Sequence, residues 1–171
     1  SAPQMLYYRK DLFADSALRA EFERETGASL RPPTTLKEYN AVAAFFTRST
    51  DAVDYGVSVA AAYNECFAPE LYFRLHAFQS QILGDDGMPA FDNPQTLKAY
   101  INFRRTIHLA KPNYLQATDV SIVDDFLRGD TAMLITYPSF LTNSTDLRGS
   151  STSIGCSLVP GRRPLLGGWS F

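Results

Sequence analysis

Hydrophobic and polar positions along the chain switch repeatedly between a period near two and a period near 3.6, the signatures of strands and helices. Met5-Leu6-Tyr7-Tyr8 is a short apolar-aromatic run suited to a strand. Ser16 then caps a helix running to about Thr26, with Leu18 and Phe22 four residues apart and Gly27 as its stop. After the break at Pro32-Pro33, Thr35 and Glu38 form a capping box. The helix it opens carries Leu36, Tyr39, Val42, Ala43 and Phe46 as one apolar stripe. Asp54 to Val59 alternates as a strand and runs into Ala60-Ala61-Ala62-Tyr63-Asn64. The next stripe, Phe67, Leu71, Leu75, Phe78 and Ile82, predicts a long helix reaching about Leu83.

Gly84-Asp85-Asp86-Gly87 has turn chemistry. Asn93-Pro94 joins a cap to a proline in the first turn, and Leu97, Tyr100, Ile101 and Ile107 mark the apolar face of the helix behind it. Thr118 caps a short helix holding Ile122, Val123, Phe126 and Leu127, which ends at Gly129. Thr131 to Thr136 reads as a buried strand, Pro138 starts a helix directly after Tyr137, and Ile154 to Val159 alternates as a strand up to Pro160-Gly161. Strands and helices in succession, with more helix than strand, predict an α/β layered fold. The length of 171 residues suits one domain or one lobe of a larger protein. The final Gly167-Gly168-Trp169-Ser170-Phe171 carries no cap or polar tail, which reads as the edge of a fragment.

Charge and composition exclude more than they assign. Lys and Arg number 16 against 18 Asp and Glu, a net charge of −2 that lacks the basic surplus of a nucleic-acid binder. The longest unbroken apolar run, Ala41 to Phe46, falls far short of the ~20 residues that cross a bilayer, and no signal peptide opens the chain. Two cysteines, Cys66 and Cys156, allow neither a disulfide scaffold nor a four-cysteine zinc site, and they are expected as separate thiols. The aromatic content is unusual: 12 Phe, 9 Tyr and 1 Trp. Nine tyrosines exceed the needs of a core this size, because each buried hydroxyl requires a partner. Rings at the core edge and rings lining a carbohydrate- or protein-binding cleft both account for them.

Catalytic constellations are thin. His76 and His108 both fall within helical segments, and no Gly-x-Ser-x-Gly elbow accompanies them. A hydrolase would need one of them within reach of Ser139, Cys66 or Cys156. No spacing fits a metal motif or a phosphate-cradling loop, so neither metal nor cofactor is expected. Asp85-Asp86-Gly87 lacks the alternating oxygen ligands of a calcium loop, and Asp124-Asp125 reads as a solvated helix face. Asn143-Ser144-Thr145 fits the glycosylation sequon, and Arg162-Arg163-Pro164 reads as a basic surface loop.

Six segments, in one order along nearly the whole chain, carry a family resemblance. They are Leu6-Tyr7-Tyr8-Arg9-Lys10-Asp11-Leu12-Phe13, then Pro32-Pro33-Thr34-Thr35-Leu36-Lys37-Glu38-Tyr39, then Tyr55-Gly56. Asp86-Gly87-Met88-Pro89-Ala90-Phe91-Asp92-Asn93-Pro94 and Phe126-Leu127-Arg128-Gly129-Asp130-Thr131-Ala132-Met133 follow, and Leu158-Val159-Pro160-Gly161 with Gly167-Gly168-Trp169 closes the series. Together they resemble the sugar-type extracellular solute-binding proteins of bacterial ABC importers. Arg9 stands where that family usually has Asn, and Leu36 where it usually has Trp.

The resemblance implies a two-lobed, periplasmic-binding-protein-like fold with hinge strands and a ligand closed between the lobes. Residues 1–171 would then be a single helix-rich α/β lobe with a mixed sheet flanked by helices, most of the second lobe without the first lobe or the C-terminal helices. It further implies a non-enzymatic protein of the periplasm or cell exterior, often lipid-anchored. Such a protein binds a carbohydrate or another small polar solute and delivers it to a membrane permease. In the resembled lobe the turns after the strands line the cleft. That points to Tyr63, Asn64 and Glu65, to Tyr137, Ser139 and Phe140, and to Gly168 and Trp169 at the hinge. Within that cleft Glu65 would accept sugar hydroxyls, and the helix start at Pro138 would offer polar ligand groups an N-terminus beside Tyr137. The alternative is an extracellular sensor or adaptor lobe that contacts a protein partner, for which a large exposed apolar patch would be the sign.

Overall fold

The computed structural model describes residues 3–62, 66–142 and 153–161. Four strands, β1 (Met5–Arg9), β2 (Tyr55–Ser58), β3 (Thr131–Thr136) and β4 (Ile154–Leu158), form one mixed sheet in the order β2-β3-β1-β4. β1 is antiparallel to both β3 and β4, whereas β2 and β3 are parallel. Hence β2, β3 and β4 all finish at the sheet edge where β1 begins. Alternation along β1 and β3 sends Leu6, Met133 and Ile135 to one face and Tyr7 and Leu134 to the other. The expected α/β lobe, helix-rich with a mixed sheet, is the fold observed.

The first face is covered mainly by α1 (Lys10–Ala14), α2 (Ser16–Thr26) and α3 (Leu36–Arg48). The capping box at α3 forms as expected, Thr35 Oγ1 accepting from the Glu38 N–H and the Glu38 carboxylate from the Thr35 N–H. Behind it Phe13, Phe22, Phe45 and Phe46 interlock, with ring centroids 5.2 to 5.6 Å apart. Gly56 lets α3 press directly on β2: a Cβ there would lie 2.1 Å from the Ala43 carbonyl oxygen. A second close approach puts the Tyr8 ring over its cross-strand partner Gly155. The opposite face is covered by α6 (Asp119–Arg128), whose Ile122, Val123, Phe126 and Leu127 pack on Tyr7 and Leu134. α6 starts on the Thr118 cap and ends at Gly129 in the left-handed conformation, φ 92°.

Four local expectations are corrected. Asp15, not Ser16, caps α2, its carboxylate accepting from the N–H groups of Ala17 and Leu18. Helix α4 (Phe67–Ala77) stops well before Leu83. It closes in a Schellman motif, Ser80 N–H to Leu75 C=O at 2.8 Å, with Gln79 at φ 58° where glycine is usual. Without a glycine, nothing in the pattern marks that stop. Helix α5 (Pro94–Ile107) turns Leu97, Tyr100 and Ile101 to solvent and buries Thr96, Ala99, Phe103 and Thr106 instead. Small residues face α4 because the two helices approach closely where Ala99 meets Leu71 and Leu75. Finally, Asp125 is buried, its carboxylate held by Lys111 at 2.8 Å and by Arg128, while Lys111 also reaches Asp130 at 2.9 Å.

One further helix, α7 (Pro138–Thr142), follows β3, and Gly84 to Gly87 forms the expected tight turn. α1 went undetected because five residues beginning directly on β1 are too few to show a period. In the core beneath α4, Arg74 is fully buried and donates from Nη1 to the Glu70 carboxylate at 2.6 Å. Its guanidinium sits 4.3 Å from the Phe73 ring centroid and 4.8 Å from that of Phe103. Burial pushes the Glu70 pKa up, against the lowering pull of Arg74's charge and hydrogen bond.

Candidate functional site

At the sheet edge where β2, β3 and β4 end, polar and aromatic side chains from β3, α6 and the start of α4 come together. β3 finishes at Thr136, whose hydroxyl donates to Asp119 Oδ1 at 3.3 Å. Asp119 is the first residue of α6, so its carboxylate sits at a helix N-terminus next to the strand end. The Cys66 thiol, at the start of α4, also hydrogen-bonds to it. Burial pushes the Asp119 carboxyl above its ordinary range, opposed by these two hydrogen bonds. Tyr137 follows, half-buried, its phenol pushed up by burial and then by the Asp119 charge. The Phe140 ring lies 6.4 Å from that of Tyr137, tilted by 54°.

The neighbouring chain is fixed from below. Ala61 N–H bonds to Tyr114 C=O and Ala62 N–H to Ala117 C=O, at 3.0 and 3.1 Å, so the run leaving β2 is tied to the segment before α6. The arrangement offers tilted aromatic faces beside a carboxylate acceptor in a partly desolvated setting. That is the equipment for gripping a hydroxylated, partly apolar molecule.

Of the site residues expected from the sequence, Tyr137 and Phe140 come together here. Ser139 is exposed on α7. Tyr63, Asn64, Glu65, Gly168 and Trp169 lie outside the described residues, as do the Asn143 sequon and the Arg162-Arg163 loop. The helix-terminus argument for Tyr137 fails, because α7 has only five residues and too few aligned peptide dipoles to build a macrodipole. Asp119, Thr136 and Cys66 went unrecognised. The only sequence signal for Asp119 was an acid just after the Thr118 cap, which reads equally well as a partner for the helix dipole. Cys66 and Cys156 are separate thiols, and His76 and His108 are both exposed. No group of metal-ligating side chains occurs among the described residues, and no described helix is long and apolar enough to cross a membrane.

Comparison with known proteins decides the family. The model of the bacterial extracellular solute-binding proteins matches residues 1–170. The chain belongs to that family. Among solved structures, this solute-binding chain is similar to maltose-bound MalE3 of T. maritima, with a TM-score of 0.73 at 20% identity over 95% of the chain. It is also similar to an ABC transporter solute-binding protein of Agrobacterium radiobacter K84 in complex with ribitol, at TM-score 0.72 and 21% identity over 94% of the chain. A third similar structure, from Thermotoga lettingae TMO with bound α-D-tagatose, gives TM-score 0.72 and 21% identity over 94%. The chain spans only 42%, 38% and 40% of those three proteins, respectively. At such identity these likenesses speak for the fold. No curated protein matches the chain.

Proposed function

We propose that residues 1–171 are most of the second lobe of a two-lobed solute-binding protein that takes a carbohydrate or polyol between its lobes. It hands that ligand to the membrane permease of an ABC importer and works in the periplasm or at the cell exterior, lipid-anchored in the full protein; the family's extracellular character supports the location. The observation that carries this reading is the Asp119–Tyr137–Phe140 cluster at the strand ends of a solute-binding fold. A pyranose or extended polyol presents C–H faces to aromatic rings and hydroxyls to an acceptor such as a carboxylate. Ribitol, maltose and tagatose bound to the similar structures support the ligand class. Tyr63, Asn64, Glu65, Ser139, Gly168 and Trp169 complete the wall in this proposal, on the strength of the family resemblance. Closure of the two lobes on the ligand would be the state the permease reads, so the lobe alone keeps only part of the affinity.

Amide NMR of the chain, titrated with ribitol, maltose and tagatose, tests the reading. Saturable shifts should centre on Asp119 and Thr136 to Phe140. Asp119→Asn should weaken binding by about 10-fold or more, the value of a hydrogen bond to a charged acceptor. Saturable shifts remote from this edge, with the cluster unmoved, would sink the assignment.

A further inference from the structure

A groove of about 680 Å³ lies outside the sheet-edge cluster and shares no residue with it. It runs between the start of α3, the end of α4 and the middle of α5. Leu36, Ala77, Phe78 and Ile101 give it an apolar floor and wall. Lys37, Lys98 and Arg105 line it as well, no carboxylate does, and none of the three makes an ion pair among the described residues. Glu38, the acid nearest to them on α3, is engaged by Arg31, Thr34 and Thr35. In a chain of net charge −2, three unpaired cations on one groove are a local excess rather than a reflection of composition.

Two further features sit in the same groove. The first turn of α3, Leu36 and Lys37, lines the groove beside Thr34 and Thr35, whose N–H groups are already taken by the Glu38 carboxylate. Asn102 lines the groove while only 8% exposed, and its buried Oδ1 accepts no hydrogen bond. That oxygen is closed to the groove, so the amide group that can meet a ligand there is that of Asn40. The Oδ1 of Asn40 accepts from the Thr106 hydroxyl at 2.8 Å, which leaves its amide N–H groups to donate.

We propose that this groove is a second ligand site, for a hydroxylated organic anion of the sugar-phosphate or hydroxy-carboxylate class. The anionic group lies against Lys37, Lys98 and Arg105. A ligand hydroxyl accepts from the Asn40 amide N–H, and the C–H face of the ligand rests on Phe78 and Ile101. The volume falls in the range of small-molecule sites, about 300–1,000 Å³. Because no residue is shared, a sugar in the sheet-edge cluster and an anion here would bind independently of one another in location.

The test is an amide NMR and calorimetric titration of the 171-residue chain at low salt with glucose 6-phosphate, inorganic phosphate and glucose as probes. Glucose 6-phosphate should give saturable shifts at Lys37, Asn102 and Arg105, weakened by added salt because the recognition is ionic. The exposed pair Lys98→Gln with Arg105→Gln should retain the fold by circular dichroism and lose about 10–100-fold in affinity. Absence of saturation with glucose 6-phosphate, an unchanged affinity in the double variant, or shifts confined to Thr136 to Phe140 would each overturn the site. Equal affinity for inorganic phosphate would overturn the hydroxylated ligand class.

Discussion

Replacing Arg74 by Met should destabilise the lobe by about 3–5 kcal/mol at neutral pH, the cost of removing one partner of a buried pair and leaving the other charge behind. The structure sets that magnitude. Arg74 is fully buried and Glu70 only 4% exposed, so no water can take over the carboxylate. The guanidinium's place over Phe73 and Phe103 adds about 2 kcal/mol when desolvated, part of which a Met side chain recovers by filling the same space. The dependence on pH separates this from ordinary packing damage. Burial raises the Glu70 pKa above its unfolded value near 4.5, and Arg74 opposes that rise, so removing Arg74 raises it further. A carboxyl with a raised folded pKa stabilises fully below the unfolded pKa, and that contribution is lost as pH climbs through the folded value. The Arg74→Met penalty should therefore grow as pH rises from the unfolded carboxyl value near 4.5 through neutrality. Glu70→Gln removes the titrating group itself, so its penalty against the wild type should shrink over the same range. Urea unfolding followed by circular dichroism, extrapolated linearly at several pH values, measures both slopes. Parallel slopes, or an Arg74→Met penalty below about 1 kcal/mol at neutral pH, would refute the reasoning.

Two other substitutions report on the backbone. Gly56→Ala forces a Cβ against the Ala43 carbonyl, and because that neighbour is helix backbone rather than a side chain, a loss of about 3 kcal/mol or more should appear in the same urea assay. Gln79→Gly relieves a left-handed residue at the end of α4 and should raise stability by about 0.5–1 kcal/mol, or about 1–4 °C in a thermal melt. A neutral or negative result there would mean that the Gln79 side chain contributes more than its backbone costs.

Local chemistry was written plainly in the sequence. Caps and stops such as Thr35 with Glu38, Thr118 and Gly129 act within a few residues, so their consequences are visible without knowing the fold. Alternation and burial in Thr131 to Thr136, and the order of strands and helices, likewise follow from short-range periodicity, and with the motif order they carried the family. Only the tertiary structure decided which face of α5 is buried, because the largest apolar residues yield to Ala99 wherever α4 must come close. The same holds for Asp125, which looked solvated until Lys111, fourteen residues upstream, came to meet it. Asp119 joined Thr136, Tyr137 and Cys66 for the same reason: hydrogen bonds between distant segments depend on where the sheet puts its strand ends, and no local pattern encodes that distance.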